Sequence, residues 1–194
     1  MPAQPPSAED RRGPPGSVKS ETTKRDSHLS RVLAYRRFWL MAGVLLGLDQ
    51  WTKHAINARL ALGSYGPGAN IPVFPGFFNL VHVGNTGAAW SMFTGASTLL
   101  ALLAAGTLLA VFLWRRPLGL AQPVAQVAFG LLCGGIVGNL TDRLLHGHVI
   151  DFIDLHFGSY IYPTFNVADS GIFLGVVTYL LWSLRQPQPA ASNK

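Results

Sequence analysis

The chain has 194 residues, of which only 12% are charged, with a mean hydropathy of +0.29 and a net charge of +6. That balance is too apolar for an ordinary soluble domain and points to lipid as the solvent for much of the chain. The positive charge does not read as a nucleic-acid footprint. Six of the fifteen Lys and Arg fall in residues 1–35, diluted by Glu9, Asp10, Glu21 and Asp26, and no basic patch interleaved with aromatics follows.

Residues 1–35 contain five Pro and few large apolar side chains. They cannot bury enough surface to offset the entropy of ordering, so a disordered basic tail is expected there. Four stretches of about the ~20 residues needed to cross a bilayer follow: Phe38–Asn57, Ala96–Trp114, Ala121–Leu140 and Asn166–Leu184. The first has a basic flank and an apolar core, but Asp49-Gln50-Trp51 stands where a small-residue cleavage site would be needed, so it reads as a retained helix. The lone cysteine, Cys133, lies in an apolar run and reads as a small core residue.

Residues 58–95 mix Gly, Pro and aromatics, and the alternation in Phe78–Val83 suggests a short strand or two on the membrane surface. Residues 143–165 carry Phe152, Phe157, Tyr160, Tyr162 and Phe165, suited to the headgroup layer. The expected fold is an all-α membrane protein with four transmembrane helices and a little surface β structure. Its parts are a tail at 1–35, a four-helix membrane domain at 36–186 and a C-terminal tail at 187–194.

With four spans, both termini and the Arg115-Arg116 loop share one side, which carries twelve Lys and Arg; the other carries three, Lys53, Arg59 and Arg143. The positive-inside rule puts the termini in the cytoplasm. Outside the tail the acids are Asp49, Asp142, Asp151, Asp154 and Asp169, all at the outer ends of helices or in outer loops. Ionisable groups near lipid are costly and usually functional.

Asp49 and Lys53 are four apart and share a helix face, fitting either an ion pair or a substrate contact. Gly130, Gly134 and Gly138, then Gly171 and Gly175, form small-residue stripes that let helices approach closely and bring Asp169 towards the Asp142–Asp154 segment. Two carboxyl groups that close share a proton, and the pair can activate water and polarise a peptide carbonyl. On spacing alone a small proton-coupled transporter fits as well. His146 and His148 could ligate a metal, but no HExxH occurs, so no metal is expected. Ser91, Ser97, Ser159 and Ser170 lack a GxSxG setting. Asp142 beside Arg143 reads as held by an arginine and nearby amides, whereas Asp151 sits among Val149, Ile150 and Phe152, where a carboxyl pKa rises.

Five blocks in order are similar to the lipoprotein signal peptidases, or signal peptidase II. Asp49-Gln-Trp-Thr-Lys53 resembles DxxTK and Asn85-Thr-Gly-Ala-Ala-Trp-Ser91 resembles NTGAAFS. Gly138-Asn139-Leu-Thr-Asp142-Arg143 resembles GNxxDR, Val149-Ile-Asp151-Phe-Ile-Asp154 resembles VVDFID, and Phe165-Asn166-Val-Ala-Asp169 resembles FNxAD. Trp90 stands where the family usually has Phe. The resemblance implies an aspartic endopeptidase of the bacterial cytoplasmic (inner) membrane that cleaves diacylglyceryl-modified prolipoproteins before the lipidated cysteine. It implies catalytic Asp151 and Asp169, with Asp49, Lys53, Asn85, Asn139, Asp142, Arg143 and Asn166 binding substrate or supporting the site. It also implies a small outer β-cradle. Membrane lipids are expected partners, with no cofactor and a monomer as the working unit.

Overall fold

The structure, a computed structural model, describes residues 32–88 and 92–186. Residues 1–31, 89–91 and 187–194 lie outside the described residues, and with them most of the expected N-terminal tail, the expected C-terminal tail, Trp90 and Ser91. In chain order the elements are α1 (Arg36–Asn57), β1 (Ile71–Phe74), β2 (Phe78–Asn85), α2 (Ser97–Leu113), α3 (Pro123–His146), β3 (Val149–Phe157), β4 (Tyr160–Phe165) and α4 (Val167–Leu184).

The central helix is α3. Proline at its first turn suits the fixed φ and missing N–H of that residue, and Gly147, at φ 77°, closes its other end in the left-handed region. It runs through Asp142 to His146 rather than stopping near Leu140, because Asn139 and Asp142 find buried partners instead of breaking an apolar span. Small residues set how closely its neighbours pack. A Cβ on Gly134 would come within 2.7 Å of the Ala42 carbonyl oxygen of α1, and one on Gly175 of α4 within 2.5 Å of the Ala128 carbonyl oxygen of α3.

Pro123–His146 and Val167–Leu184 are each long and apolar enough to cross a membrane, and Ser97–Leu113 is apolar but shorter. Helix α1 carries Asp49 and Lys53 in its second half. Phe112 and Leu102 on α2, like Phe173 and Leu181 on α4, are exposed, an apolar extent that a water-facing surface does not tolerate.

The four strands form one antiparallel sheet in the order β1-β2-β3-β4. This corrects the all-α expectation: the fold is mixed helix and sheet. Within the aromatic 143–165 stretch, expected to suit the headgroup layer, residues 149–165 form a hairpin, with Phe157 paired to Tyr160 across Gly158-Ser159 and Gly158 at φ 65°. Strand β3 is buried on both faces for most of its length, so its sequence lacks the clean polar alternation of a half-exposed strand. Ile150 and Phe152 pack with Ile56 of α1, and Val167 of α4 lies against the same cluster, fixing the sheet to the helix ends.

Candidate active site

Three helix ends carry the polar groups to one level. Asp49, Gln50 and Lys53 come from the later turns of α1, Asn139, Asp142 and Arg143 from those of α3, and Asn166 with Asp169 from the start of α4. Strand β3 adds Asp151 and the end of β2 adds Asn85.

Lys53 is the hub of a buried cluster. Its Nζ lies 2.9 Å from Asp49 Oδ2 and 2.8 Å from Asp142 Oδ2, and none of the three is more than 2% exposed. Burying three charges is tolerable only if their remaining hydrogen-bonding capacity is used, and here it is. Asp49 Oδ1 accepts the Ala168 N–H (2.9 Å), one of the free donors in the first turn of α4. Asp142 Oδ2 accepts the Ile150 N–H (3.1 Å), and the Gln50 amide donates to both carboxylates. The cluster thus ties α1, α3, α4 and β3 together, and Asp49, Lys53 and Asp142 lie outside the cavity described below.

The expected partnership of Asp142 with Arg143 is not what forms. Successive helical residues point about 100° apart, so Asp142 faces Lys53 while Arg143 faces the cavity. Arg143 Nη2 donates to the Gly87 carbonyl (2.9 Å), and its buried Nε has no hydrogen-bond partner among the described residues.

Three asparagines hold Asp151 and Asp169, two of them, Asn139 and Asn166, leading back to the cluster, and donor-only neighbours set the orientation of each amide. Lys53 Nζ donates to Asn139 Oδ1 (2.9 Å), turning Asn139 Nδ2 onto Asp169 Oδ1 at 2.7 Å. The Asp169 N–H donates to Asn166 Oδ1 (2.9 Å), so Asn166 Nδ2 reaches Asp151 Oδ1 at 2.7 Å. The Gly87 N–H donates to Asn85 Oδ1 (2.9 Å), and Asn85 Nδ2 meets Asp151 Oδ2 at 2.9 Å. Asn166 is also the N-cap of α4, with Asp169 closing the capping box, so the helix start and the site are built from the same two residues.

Asp151 is 1% exposed. Burial first, and then the charge of Asp169, push its pKa up to about 7, against the opposing pull of the Asn85 and Asn166 amides and of Lys53. Asp151 and Asp169 are the only carboxylates among the described residues lining a cavity of about 750 Å³. Asn85, Asn139 and Arg143 supply its polar wall, while Ile172, Phe173 and Val176 of α4 make an apolar one. The structure therefore brings Asn85, Asn139, Arg143, Asp151 and Asp169 to one cavity, with Asn166 fully buried just behind it.

Other polar groups form a separate site. Asp154 Oδ2 accepts from Asn79 Nδ2 (3.1 Å) and lies 2.7 Å from His156 Nε2, and Asp154 Oδ1 accepts from the Tyr65 hydroxyl (3.3 Å). Asn79 and Asp154 are directly opposite in the β2–β3 register, and His156 is two residues on from Asp154, hence on the same face. Tyr65, its pKa raised first by burial and then by Asp154, ties the 58–70 segment to the sheet. Gln50, whose amide joins the two carboxylates, is not among the site residues the sequence points to, although a second polar residue beside Asp49 in an apolar helix is a signal for it. The Gly87 backbone left none. His146 and His148 lie with ring centres 6.1 Å apart, and among the described residues no three His, Cys, Asp or Glu side chains gather as a metal-holding group.

A largely apolar cavity that holds two carboxylates, set among apolar helices, suits a membrane enzyme. Comparison with known proteins agrees. The family model described as signal peptidase (SPase) II matches residues 41–185. A lipoprotein signal peptidase of Xanthomonas euvesicatoria pv. vesicatoria (strain 85-10) is 40% identical over 154 residues, covering 75% of this chain and 85% of the relative. One from Geobacillus kaustophilus (strain HTA426) is 36% identical over 157 residues, covering 81% and 98%. A solved bacterial membrane enzyme superposes with a TM-score of 0.67 at 31% identity, covering 78% of this chain and 92% of its own. The chain belongs to the signal peptidase II family.

Proposed function

We propose that this chain is an aspartic endopeptidase of the bacterial cytoplasmic membrane that removes the signal peptide from diacylglyceryl-modified prolipoproteins, with Asp151 and Asp169 as its dyad. One observation carries the reading: these are the carboxylates that line the cavity, and each is held by oriented amide N–H groups.

The geometry divides the labour. Asp169 lies in the first turn of α4, where the helix dipole favours negative charge, and it receives the Asn139 amide that Lys53 polarises. It is the base that takes a proton from water. Asp151, buried and holding its proton to about pH 7, gives that proton to the carbonyl oxygen as the water oxygen bonds to the carbonyl carbon. Arg143, whose Nε–H is unpaired among the described residues, and Asn85 face the oxygen on which charge develops. Asp169 then passes the proton it took to the leaving nitrogen, and as the C–N bond breaks Asp151 recovers a proton from one hydroxyl of the gem-diol, leaving a new carboxyl group and a free amine. No cofactor or metal enters these steps.

All four helices cross the membrane in this reading, with both termini cytoplasmic and the sheet and cavity at the outer face; the twelve-to-three distribution of Lys and Arg supports that orientation. The exposed Phe173 and Leu174 beside the cavity open it sideways to lipid. Acyl chains of the modified cysteine can enter there, each buried CH₂ contributing ~0.8 kcal/mol. A single copy holds every residue these steps use, so a monomer suffices.

Purified protein incubated with a diacylglyceryl-modified prolipoprotein, with Asp151→Asn as control, tests the reading; no cleavage by the unaltered protein would reject it. Reporter fusions after Arg185 and at Arg115-Arg116 are expected to report the cytoplasm and one near Gly66 the outside. A cytoplasmic signal at Gly66 would contradict the four-span arrangement.

The pH dependence follows from Asp151. Its proton is lost as pH rises through about 7, so cleavage is expected to fall on the alkaline side there. By linkage, the raised pKa means that stability is greatest below the ordinary carboxyl value and declines as pH rises from about 4 to about 7, because the unfolded chain releases that proton first. Asn85→Ala, which removes a hydrogen bond favouring the charged form, should move the alkaline limb of kcat/KM to higher pH. A limb that stays in place would count against Asp151 as the proton carrier.

A further inference from the structure

An endopeptidase must hold two arms of its substrate, one on each side of the bond it cuts, and the cavity above accounts for one. Its far wall is the apolar face of α4, with Phe173 66% and Leu174 53% exposed, so an arm leaving that way runs into lipid. A second cavity, of about 1040 Å³, adjoins it and shares Asn85, Ala88, Tyr162, Pro163 and Thr164 with it. Its walls differ in chemistry. They are β2, β4, the 62–65 segment, His148 and the turn residues Thr86, Ala88 and Thr94, with no helix face among them. A Cβ on Gly84 would lie 2.9 Å from the His148 ring, so bare strand backbone and an imidazole stand against each other in one wall. Leu62, Tyr65 and Ile161 at its rim are exposed. The junction of the two cavities is Asn85, whose amide holds Asp151.

We propose that this second cavity seats the polypeptide that follows the scissile bond, taking the first residues after the lipidated cysteine as an extended chain. The inference rests on the reading of Asp151 and Asp169 as the dyad. A signal peptide is apolar and stays in lipid, whereas the retained chain continues into water, and the two cavities offer those two environments on either side of the carboxylates. The outer edge of β4, the last strand of the sheet, offers main-chain groups that bind a peptide backbone without demanding particular side chains, as a peptidase acting on many different mature chains needs.

The test uses two diacylglyceryl-cysteine peptides with the same signal segment, one ending at the cysteine amide and one continuing about six residues, ~20 Å when extended. The unaltered protein is expected to show a kcat/KM about 10-fold higher for the longer peptide, the gain from one or two net hydrogen bonds. Leu62→Trp and Ile161→Trp, which fill the cavity from its rim, should bring that ratio close to one. A second measurement does not depend on those variants folding. In the Asp169→Asn chain, a photoreactive residue at the third position after the cysteine should cross-link to residues 62–65 or 161–164. Equal kcat/KM for the two peptides, a ratio unmoved by either tryptophan, or cross-linking to Ile172–Val176 instead would overturn the inference. Cleavage of neither peptide by the unaltered protein would overturn the dyad reading beneath it.

Discussion

Asp151→Asn and Asp169→Asn are each expected to lower the rate of signal-peptide cleavage by at least ~10³-fold, the scale on which general acid–base groups act. Each change removes one half of the proton exchange and leaves the shape of the cavity nearly intact. Asn at 151 can still accept one of the two amide N–H groups that hold the carboxylate, and Asn at 169 can still accept the Asn166 N–H of the capping box. Both variants should therefore fold, unfold within a few degrees of the parent, and retain uncleaved substrate on co-purification. Near-normal turnover by either purified variant would remove the dyad assignment. So would the reverse pattern, in which Asp142→Asn is folded and wholly inactive while Asp151→Asn still cleaves.

Lys53→Met should have the largest effect on stability. It leaves Asp49 and Asp142 buried at 0% and 2% exposure without their cation, and breaking a buried pair in this way costs about 3–5 kcal/mol. Thermal unfolding in detergent should show a fall on the order of 10 °C. Asp142→Asn should be milder, because an amide oxygen can still accept from Lys53 or from the Ile150 N–H, and some cleavage should survive. Lys53→Met with unchanged thermal stability would mean that the cluster does not hold the helix ends together. The paired result separates two roles that the five acids leave mixed in the sequence: Asp49 and Asp142 hold structure, while Asp151 and Asp169 face the cavity.

The small-residue stripes show what spacing conveys and what it leaves out. Gly130 and Gly134 do mark a close approach, but towards α1, whose Phe38 and Ala42 backbones come nearest. The α3–α4 approach is made at Gly175, against Ala128, and at Gly135, outside the stripe, against Ala168. A period of four says that a face is thin and not which helix fills it. Strand β3 is a similar case. Its charged residues and its burial on both faces mask the alternation by which a surface strand is recognised, so Val149–Phe157 looks like an aromatic loop until β2 and β4 pair with it.

By itself the sequence determined the apolar character of the chain, the approximate positions of its four helices and the gathering of Asp49, Asp142, Asp151 and Asp169 near the helix ends. These depend on composition and on contacts within a few residues, which linear order preserves. The family blocks added the identity of the dyad as a resemblance. Tertiary structure alone decided that Lys53, not Arg143, holds Asp142, that Asn85, Asn139 and Asn166 aim their amides at two carboxylates, and that Asp154 belongs to a different cluster with Tyr65, Asn79 and His156. Each of those outcomes turns on the angle at which a helix residue faces its neighbours or on strand register. Pairings between segments such as 85 and 151, or 53 and 142, are set by the packing of whole elements, and nothing within either segment encodes that packing.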